Sequence, residues 1–393
     1  MDVENLRRQL VEDVERLSPV VENVARSLYD HPELGLEEVF ASGKLTDILE
    51  HNGFVIERGV AGMKTAFRAS SGQGRPVIGF MAEYDALPEI GHACGHNLIA
   101  AVALVAGIAC SDVISPEESS VTWVVLGTPA EETIGGKIVM AEAGVFDDVD
   151  VAFIAHPGQR NSAGGESWAS WPVEITFRGQ ASHAGANPQG GVNALDALVQ
   201  AYIGIRNLRN SLDDSVRIPG IITHGGDAPN VVPDKATARF SIRAKSSKYL
   251  QEVLIPRIHA FADGIAIATG TVLEFSHYEP LFRETLKYPR LQSIVERNWR
   301  RLGVEIPQQE TGTGGGVTDV GAVTWRTPAI QIGFRIGDAP GHSREFAQST
   351  VSEAGIKGVL LAAKVLALSA LDILAQKEVI EEMKRDLASI RDR

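Results

Sequence analysis

Between Val77 and Ala155 the chain alternates short β-rich apolar runs with helical stretches, and this rhythm constrains the fold more than any other feature. Val77 to Met81, Val121 to Leu126 and Val149 to Ala155 read as buried strands, separated by an apolar helix from Leu98 to Cys110 and a shorter one from Gly136 to Glu142. Strands joined through helices need crossover connections, so the sheet is predicted to be largely parallel and the domain α/β. Upstream, Leu10, Val14, Leu17, Val21, Val24 and Leu28 recur at spacings of three and four and predict one helical face over residues 4 to 29. Glu38 to His51 continue in that style until Gly53 stops the helix.

Near Trp171 the texture changes. Pro172 to Phe177, Arg217 to Thr223, Ala236 to Ala244 and Thr271 to His277 read as strands, with helices over Gly191 to Asn210 and Tyr249 to Thr269. The order strand, helix, strand, strand, helix, strand fits a compact α+β module of the split βαβ type. After Pro280 the first style resumes with a helix from Tyr288 to Leu302, a Gly-rich loop from Gly312 to Gly316, a strand from Ala329 to Phe334 and a long helical region from Ser352 onward. Residues 1–171 and 284–393 are therefore expected to form one catalytic domain, interrupted by an inserted domain at 172–283.

A chain of 393 residues with 44% hydrophobic and 22% charged residues has the composition of ordinary packed domains. Its formal net charge of −13, with no Lys/Arg-rich stretch to offset it, argues against nucleic acid and anionic membrane surfaces as partners. The longest uninterrupted apolar run, Leu98 to Cys110, falls short of the roughly 20 residues that span a bilayer and reads as a core helix. Two cysteines cannot build a disulfide framework, and no secretory pattern opens the chain, so a cytoplasmic protein is expected.

The chemistry concentrates in five places. His92 and His96 flank Cys94 in a glycine-bearing turn, a pairing of thiolate and imidazole that zinc-like ions prefer. A buried cysteine beside surface histidines would look the same. Glu131 and Glu132 follow the strand Val121 to Leu126; such a pair usually starts a solvated helix, but at a strand end one carboxylate can ligate metal while its neighbour accepts a proton. Asp85, His156 and His342 also lie at or just beyond the ends of apolar strands. Ligands bind at the carboxyl ends of strands in open α/β sheets, so these groups can converge. Cys94, His96, Glu132, His156 and His342, with Asp85 and Glu131 nearby, exceed what one tetrahedral ion needs and suit a pair of ions about 3.5–4 Å apart. The Gly312 to Gly316 run has no Lys-Ser/Thr after it, which counts against phosphate binding, and neither Ser182, Ser343 nor Cys94 sits in a nucleophile elbow.

These stretches resemble, over nearly the full chain, the co-catalytic metallopeptidases of the glutamate carboxypeptidase and aminoacylase type, clan MH, and within them the amidohydrolase branch. The resemblance is carried by His31 to Glu38 (HPELGLEE), Ala82 to Pro88 (AEYDALP), His92 to Asn97 (HACGHN), Gly127 to Glu132 (GTPAEE), Ala181 to Ala194, Asn230 to Asp234 (NVVPD), Gly315 to Val320 (GGVTDV) and Gly341 to Phe346 (GHSREF). It implies a phosphorylase/hydrolase-like three-layer catalytic domain with a mixed, largely parallel sheet, and an inserted ferredoxin-like lid and dimerisation domain. It implies two divalent ions (Zn, Mn, Ni or Co) on Cys94, His96, Glu132, His156 and His342, with Cys94 bridging. Glu131 matches the general base and Asp85 the carboxylate that orients a ligand. His183, Asn230 and Arg243 match groups that bind the substrate carboxylate and the oxyanion, often across a homodimer, and Gly315 and Gly316 match a wall of the substrate site. The implied reaction is hydrolysis of N-acyl or N-aroyl amino acids or dipeptides. Hydrolytic deamination of a small aromatic amino acid and a catalytically silent carboxylate-binding protein are the alternatives. The chain departs from much of the branch at Asn97, where Asp is common, at Glu83-Tyr84, where Met precedes Asp85's counterpart, and at Arg344, which replaces a proline.

Overall fold

The computed structural model describes residues 2–115, 119–306 and 316–391. It divides into two compact units, one of Met1–Glu166, Thr285–Thr313 and Thr318–Arg393, the other of Ser167–Glu284 and Gly314–Val317. Among the described residues the strands are, in chain order, β1 (Val55–Arg58), β2 (Phe67–Ser71), β3 (Val77–Ala82), β4 (Thr122–Gly127), β5 (Val151–Gly158), β6 (Ala169–Ser170), β7 (Val173–Arg178), β8 (Gly220–His224), β9 (Lys235–Phe240), β10 (Arg243–Ala244), β11 (Val272–Ser276) and β12 (Ala329–Arg335).

The larger unit carries a mixed sheet in the order β1-β2-β4-β3-β5-β12. β4, β3, β5 and β12 run parallel, as predicted, so their carboxyl ends lie along one edge. The antiparallel pair β1 and β2 was not anticipated: β1 is short and mostly exposed at the sheet margin, so it carries no apolar signal. β3 and β4 are buried along their whole length, which explains their unbroken apolar sequence.

Helix His96–Val113 packs on these strands and against helix Glu353–Ala375. Both are long and apolar enough to cross a membrane, yet 83% of each apolar window is buried inside the fold, which makes them core helices. The face predicted over residues 4 to 29 is one apolar stripe on two helices, Val3–Arg16 and Ser18–Asp30. The break has a direct cause, since Pro19 has no N–H to give and its ring would clash with the Glu15 carbonyl of a continuous helix.

The smaller unit is an antiparallel sheet in the order β11-β7-β9-β8, with helices Ala194–Leu208 and Ile255–Thr269 packed on it. That strand order, with the sequence order strand, helix, strand, strand, helix, strand, is the ferredoxin-like arrangement. Val173, Ile175 and Phe177 alternate inward with Ala236, Ala238 and Phe240 and meet Leu198, Ala201 and Ile258 of the helices. The single strand read over Ala236 to Ala244 is two: β9 ends at Phe240, and β10 leaves the sheet to pair with β6, Arg243 opposite Ser170.

Candidate metal centre

The larger unit gathers its predicted ligands at the parallel edge. Glu83 and Asp85 leave the end of β3, Glu131 and Glu132 follow β4, His156 lies near the end of β5, and His342 follows β12. Cys94 and His96 sit where the chain turns into helix His96–Val113. Gly95 makes that turn at φ 81°, and a Cβ there would stand 2.4 Å from Pro157 Cγ, so glycine is required twice over. Two other residues of the edge, Ala130 (φ 61°) and His342 (φ 60°), adopt left-handed backbone without being glycine, conformations that surrounding contacts must hold. The His342 N–H donates to the Ala93 carbonyl at 2.8 Å, which ties its loop to the Cys94 turn.

Two trios of side chains place ligand atoms within 4.8 Å of one another and share Cys94: Cys94, His96 and His156, and Cys94, Glu132 and His342. Cys94 Sγ stands 3.5 Å from His156 Nε2, His342 Nε2 is 3.5 Å from Glu132 Oε1, and His96 Nε2 is 4.0 Å from the same oxygen. The outer nitrogens of His96 and His156 are engaged elsewhere. His96 Nδ1 lies 2.8 Å from Asp85 Oδ1, and His156 Nδ1 lies 2.8 Å from the Pro157 carbonyl, so each ring turns Nε2 inward. Asp85 Oδ2 also accepts the Glu132 backbone N–H at 3.0 Å. Burial alone would raise the Asp85 carboxyl, but the charge and hydrogen bond of His96 outweigh it and hold it below the ordinary range.

The site tests well for divalent metal. His96 Nε2, Glu83 Oε2 3.3 Å from it, and Glu132 Oε1 are all buried and make no hydrogen bond, an arrangement that a cation would complete. The donors are thiol, imidazole and carboxylate, the set that zinc-like ions take.

Glu131 stands between two clusters, one of its carboxylate oxygens lying within 4.8 Å of ligand atoms of His96 and Glu132. Burial, then the charges of Asp319 and Glu83, push its carboxyl well above the usual range, while Lys137 pulls it down. Glu83, Glu131 and Asp319 form a further close group, of carboxylates alone, and the Lys137 ammonium occupies it, 2.6 Å from Glu83 Oε1 and 2.7 Å from Asp319 Oδ1. A lysine therefore supplies the cation there. Sequence reading assigned no role to Glu83, Lys137 or Asp319; the one signal was a lysine set between Gly135-Gly136 and the apolar run Ile138 to Ala141. His92 is buried and belongs to none of these groups among the described residues.

Asn97 now has a physical reason. Its buried Nδ2 donates to the Ala25 carbonyl and to Thr350 Oγ1, both at 3.0 Å, while the Thr350 hydroxyl donates to Ala347 O. Both partners need a donor, which an ionised aspartate cannot supply. Arg344 opens helix Arg344–Thr350 and is exposed.

In the smaller unit, His183 bridges Val231 in an antiparallel pairing that sets it beside Asn230, whose carbonyl accepts the Ala184 N–H. His183 Nδ1 accepts the Gly185 and Ala186 N–H groups at 3.2 and 3.0 Å, which leaves Nε2 outward. Arg243 lies on the separate β6–β10 ladder, its Nε 3.3 Å from Ser241 Oγ. Gly316 accepts the Trp168 N–H through its carbonyl, and Gly315 lies outside the described residues.

Comparison with known proteins agrees with this architecture. Residues 169–263 match the model of the peptidase dimerisation domain. The chain is 36% identical over 402 residues to Xaa-Arg dipeptidase of Mus musculus, covering 98% of this chain and 93% of that one. The chain belongs to the M20 family of metallopeptidases. Other M20-type relatives include a p-aminobenzoyl-glutamate hydrolase component of Escherichia coli, 29% identical over 94% of this chain and 92% of the relative. The crystal structure of a dinuclear metal binding peptidase of the M20 family from Bacillus subtilis superposes with a TM-score of 0.71 at 22% identity, covering 92% of this chain and 99% of that one, a likeness of fold. As an M20 enzyme the protein is a metal-dependent hydrolase of linear amide carbon–nitrogen bonds.

Proposed function

We propose that the protein is a dinuclear amidohydrolase that cleaves dipeptides or N-acyl and N-aroyl amino acids. The observation that carries this reading is the pair of ligand trios sharing Cys94 with Glu131 beside them. Cys94, His96 and His156 would hold one ion and Cys94, Glu132 and His342 the other. Divalent ions held there supply Lewis-acid polarisation of the scissile carbonyl and acidify water. Glu131, half-buried and of raised proton affinity, takes the proton from the attacking water and returns it to the leaving amine. Asp85 keeps His96 in the tautomer and orientation that presents Nε2. The substrate class is supported by the relatives, one an Xaa-Arg dipeptidase and another an aminobenzoyl-glutamate hydrolase.

The roles of His183 in stabilising the oxyanion, of Asn230 and Arg243 in gripping the substrate carboxylate, and of Gly315 and Gly316 in lining the substrate site, are part of the same proposal. So is a homodimer through the inserted domain: β8 is the outer strand of its sheet and exposes Ile221 and Ile222 at 64% and 41%. A cytoplasmic location is supported by the two free cysteines, one of them in the metal centre.

The test is metal analysis of the purified protein, then a screen of dipeptides and N-acyl and N-aroyl amino acids after reconstitution with manganese, zinc, nickel or cobalt. E131Q should retain metal and lose turnover. Retained turnover in E131Q would remove Glu131 as the base.

A further inference from the structure

The stretch His31 to Glu38 is among those that carry the family resemblance, yet it contributes no ligand or base. It is held to both loops that do. The Glu33 carbonyl accepts the N–H of Ala86, the residue after Asp85, at 2.8 Å. The Glu33 carboxylate accepts the N–H groups of Phe40 and Ala41 at 2.9 Å each, fixing the strap to the start of helix Val39–His51. Glu38 is fully buried, and both its oxygens are engaged: Oε1 accepts the Ala130 N–H at 2.8 Å and Oε2 the Thr65 hydroxyl at 2.8 Å. Between them Gly35 passes so close to the Glu131 turn that a Cβ would stand 2.4 Å from Thr133 Oγ1 and 3.0 Å from Ala130 Cα.

Ala130 is the residue that needs such support. It precedes Glu131 and holds φ 61° without being glycine, a strained conformation that persists only where neighbours fix it. A buried carboxylate receiving its N–H is the strongest acceptor a side chain can offer.

We propose that Glu38 is a positioning residue for the Glu131–Glu132 turn, and that the Glu33 to Glu38 strap clamps this turn to the Asp85 loop. The inference rests on the reading of Glu131 as base and Glu132 as ligand. It extends that reading by naming what holds the two carboxylates in register with His96 and Asp85. A displacement of about 1 Å at reacting groups can lower rate about 100-fold, so loss of the clamp should act on turnover and on metal retention while leaving substrate affinity alone.

The experiment compares E38A, E38Q, G35A and the double variant G35A/T133A in two assays. The first is steady-state hydrolysis of the best dipeptide or N-acyl amino acid. The second is zinc retention against EDTA, which needs no turnover. E38A should lower kcat by about 10–100-fold with KM within about threefold, and should release zinc more readily. E38Q, whose amide oxygen still accepts from Ala130 and whose amide nitrogen can donate to Thr65, should recover most of both. G35A should reproduce the E38A signature from the opposite face, and T133A should relieve part of it by removing the closer of the two contacts, the Thr133 hydroxyl. Should E38A fail to fold, the G35A pair and E38Q decide the question. Wild-type kcat and zinc retention in G35A would overturn the proposal, as would an E38Q variant no better than E38A. E131Q measured alongside separates the two readings: turnover in E131Q would reject the base, while the zinc assay would still report on the clamp through Glu132.

Discussion

His96 Nδ1 stands 2.8 Å from Asp85 Oδ1, with both side chains closed off from solvent. The relationship fixes more than a ring. The other oxygen of the same carboxylate accepts the Glu132 N–H, so one aspartate sets a ligand from the helix start and a ligand from the β4 loop in a common frame. D85A should therefore weaken metal retention by about 10–100-fold, the usual effect of removing a partner that orients a ligand. Competition with a fluorescent zinc chelator measures it. Unchanged retention would show that His96 orients itself without Asp85.

Metal uptake should release protons. In the metal-free protein burial pushes the Cys94 thiol up to about 12, so at neutral pH it must lose a proton to become a thiolate ligand. Burial alone would depress His96, but the charges of Asp85 and Glu83 raise it well above its ordinary value, so it also carries a proton to be displaced. Both protons are bound before the metal arrives, and raising the pH removes them. Apparent affinity for zinc should therefore rise with pH across 6–8, by about tenfold per unit for each proton released. Calorimetric titration in buffers of different ionisation enthalpy counts them. C94S should lower the count by one, and a pH-independent affinity would contradict the assignment of both groups.

Lys137 is closed off from solvent between Glu83 and Asp319, and its backbone N–H also binds Asp319, at 2.9 Å. Removing one partner of a buried ionic group costs about 3–5 kcal/mol because the remaining charges are left uncompensated. K137M should destabilise the larger unit by that order, and K137M/D319N should be less destabilised than K137M alone, since one of the stranded carboxylates is gone. Urea unfolding of the metal-loaded proteins checks both. Equal stability of K137M and wild type would mean that Glu83 and Asp319 are not both charged in the fold.

What the sequence made legible is divided by physics. The parallel edge could be read because β3, β4, β5 and β12 are largely buried strands whose apolar runs are followed, within the strand or in the loop after it, by His, Asp or Glu residues, and that punctuation survives in one dimension. The Cys94 cluster could be read because its residues are adjacent. The Glu83–Lys137–Asp319 group could not, since each member sits far from the others in sequence and is revealed only by packing. β1 was hidden by its exposure, and the break at Pro19 by an apolar stripe that runs on across both helices. The contribution of Glu38 was hidden for another reason: its partner is a backbone N–H, which has no signature in the sequence.

The inserted domain offers a test of assembly. β8 is an outer strand with unpaired backbone groups and the exposed pair Ile221 and Ile222, features that a monomer would normally blunt with charge. I221D should shift a dimer to monomer in light scattering at micromolar concentration without changing the metal content of the larger unit. A dimer that survives I221D and I222D together would place the interface elsewhere.

Asn97 gives the last prediction. Aspartate matches asparagine in size, so N97D changes the hydrogen-bonding chemistry and almost nothing else, yet here it should fail. The Asn97 amide nitrogen donates to Ala25 O and Thr350 Oγ1. A carboxylate would turn both contacts into facing acceptors inside a fully buried space, and only Thr350 could respond, by giving up its bond to Ala347 and rotating its hydroxyl. The Ala25 carbonyl has no such freedom. Leaving it unsatisfied beside a buried charge should destabilise the unit by roughly 2–5 kcal/mol, seen as a lower urea midpoint in metal-free protein. Because residue 97 follows ligand His96 on the same helix turn, the loss should grow as metal is added if the carboxylate draws the helix start out of place, and should stay constant if the effect is confined to the core. N97D as stable as wild type would show that the Ala25 and Thr350 contacts contribute nothing to choosing asparagine.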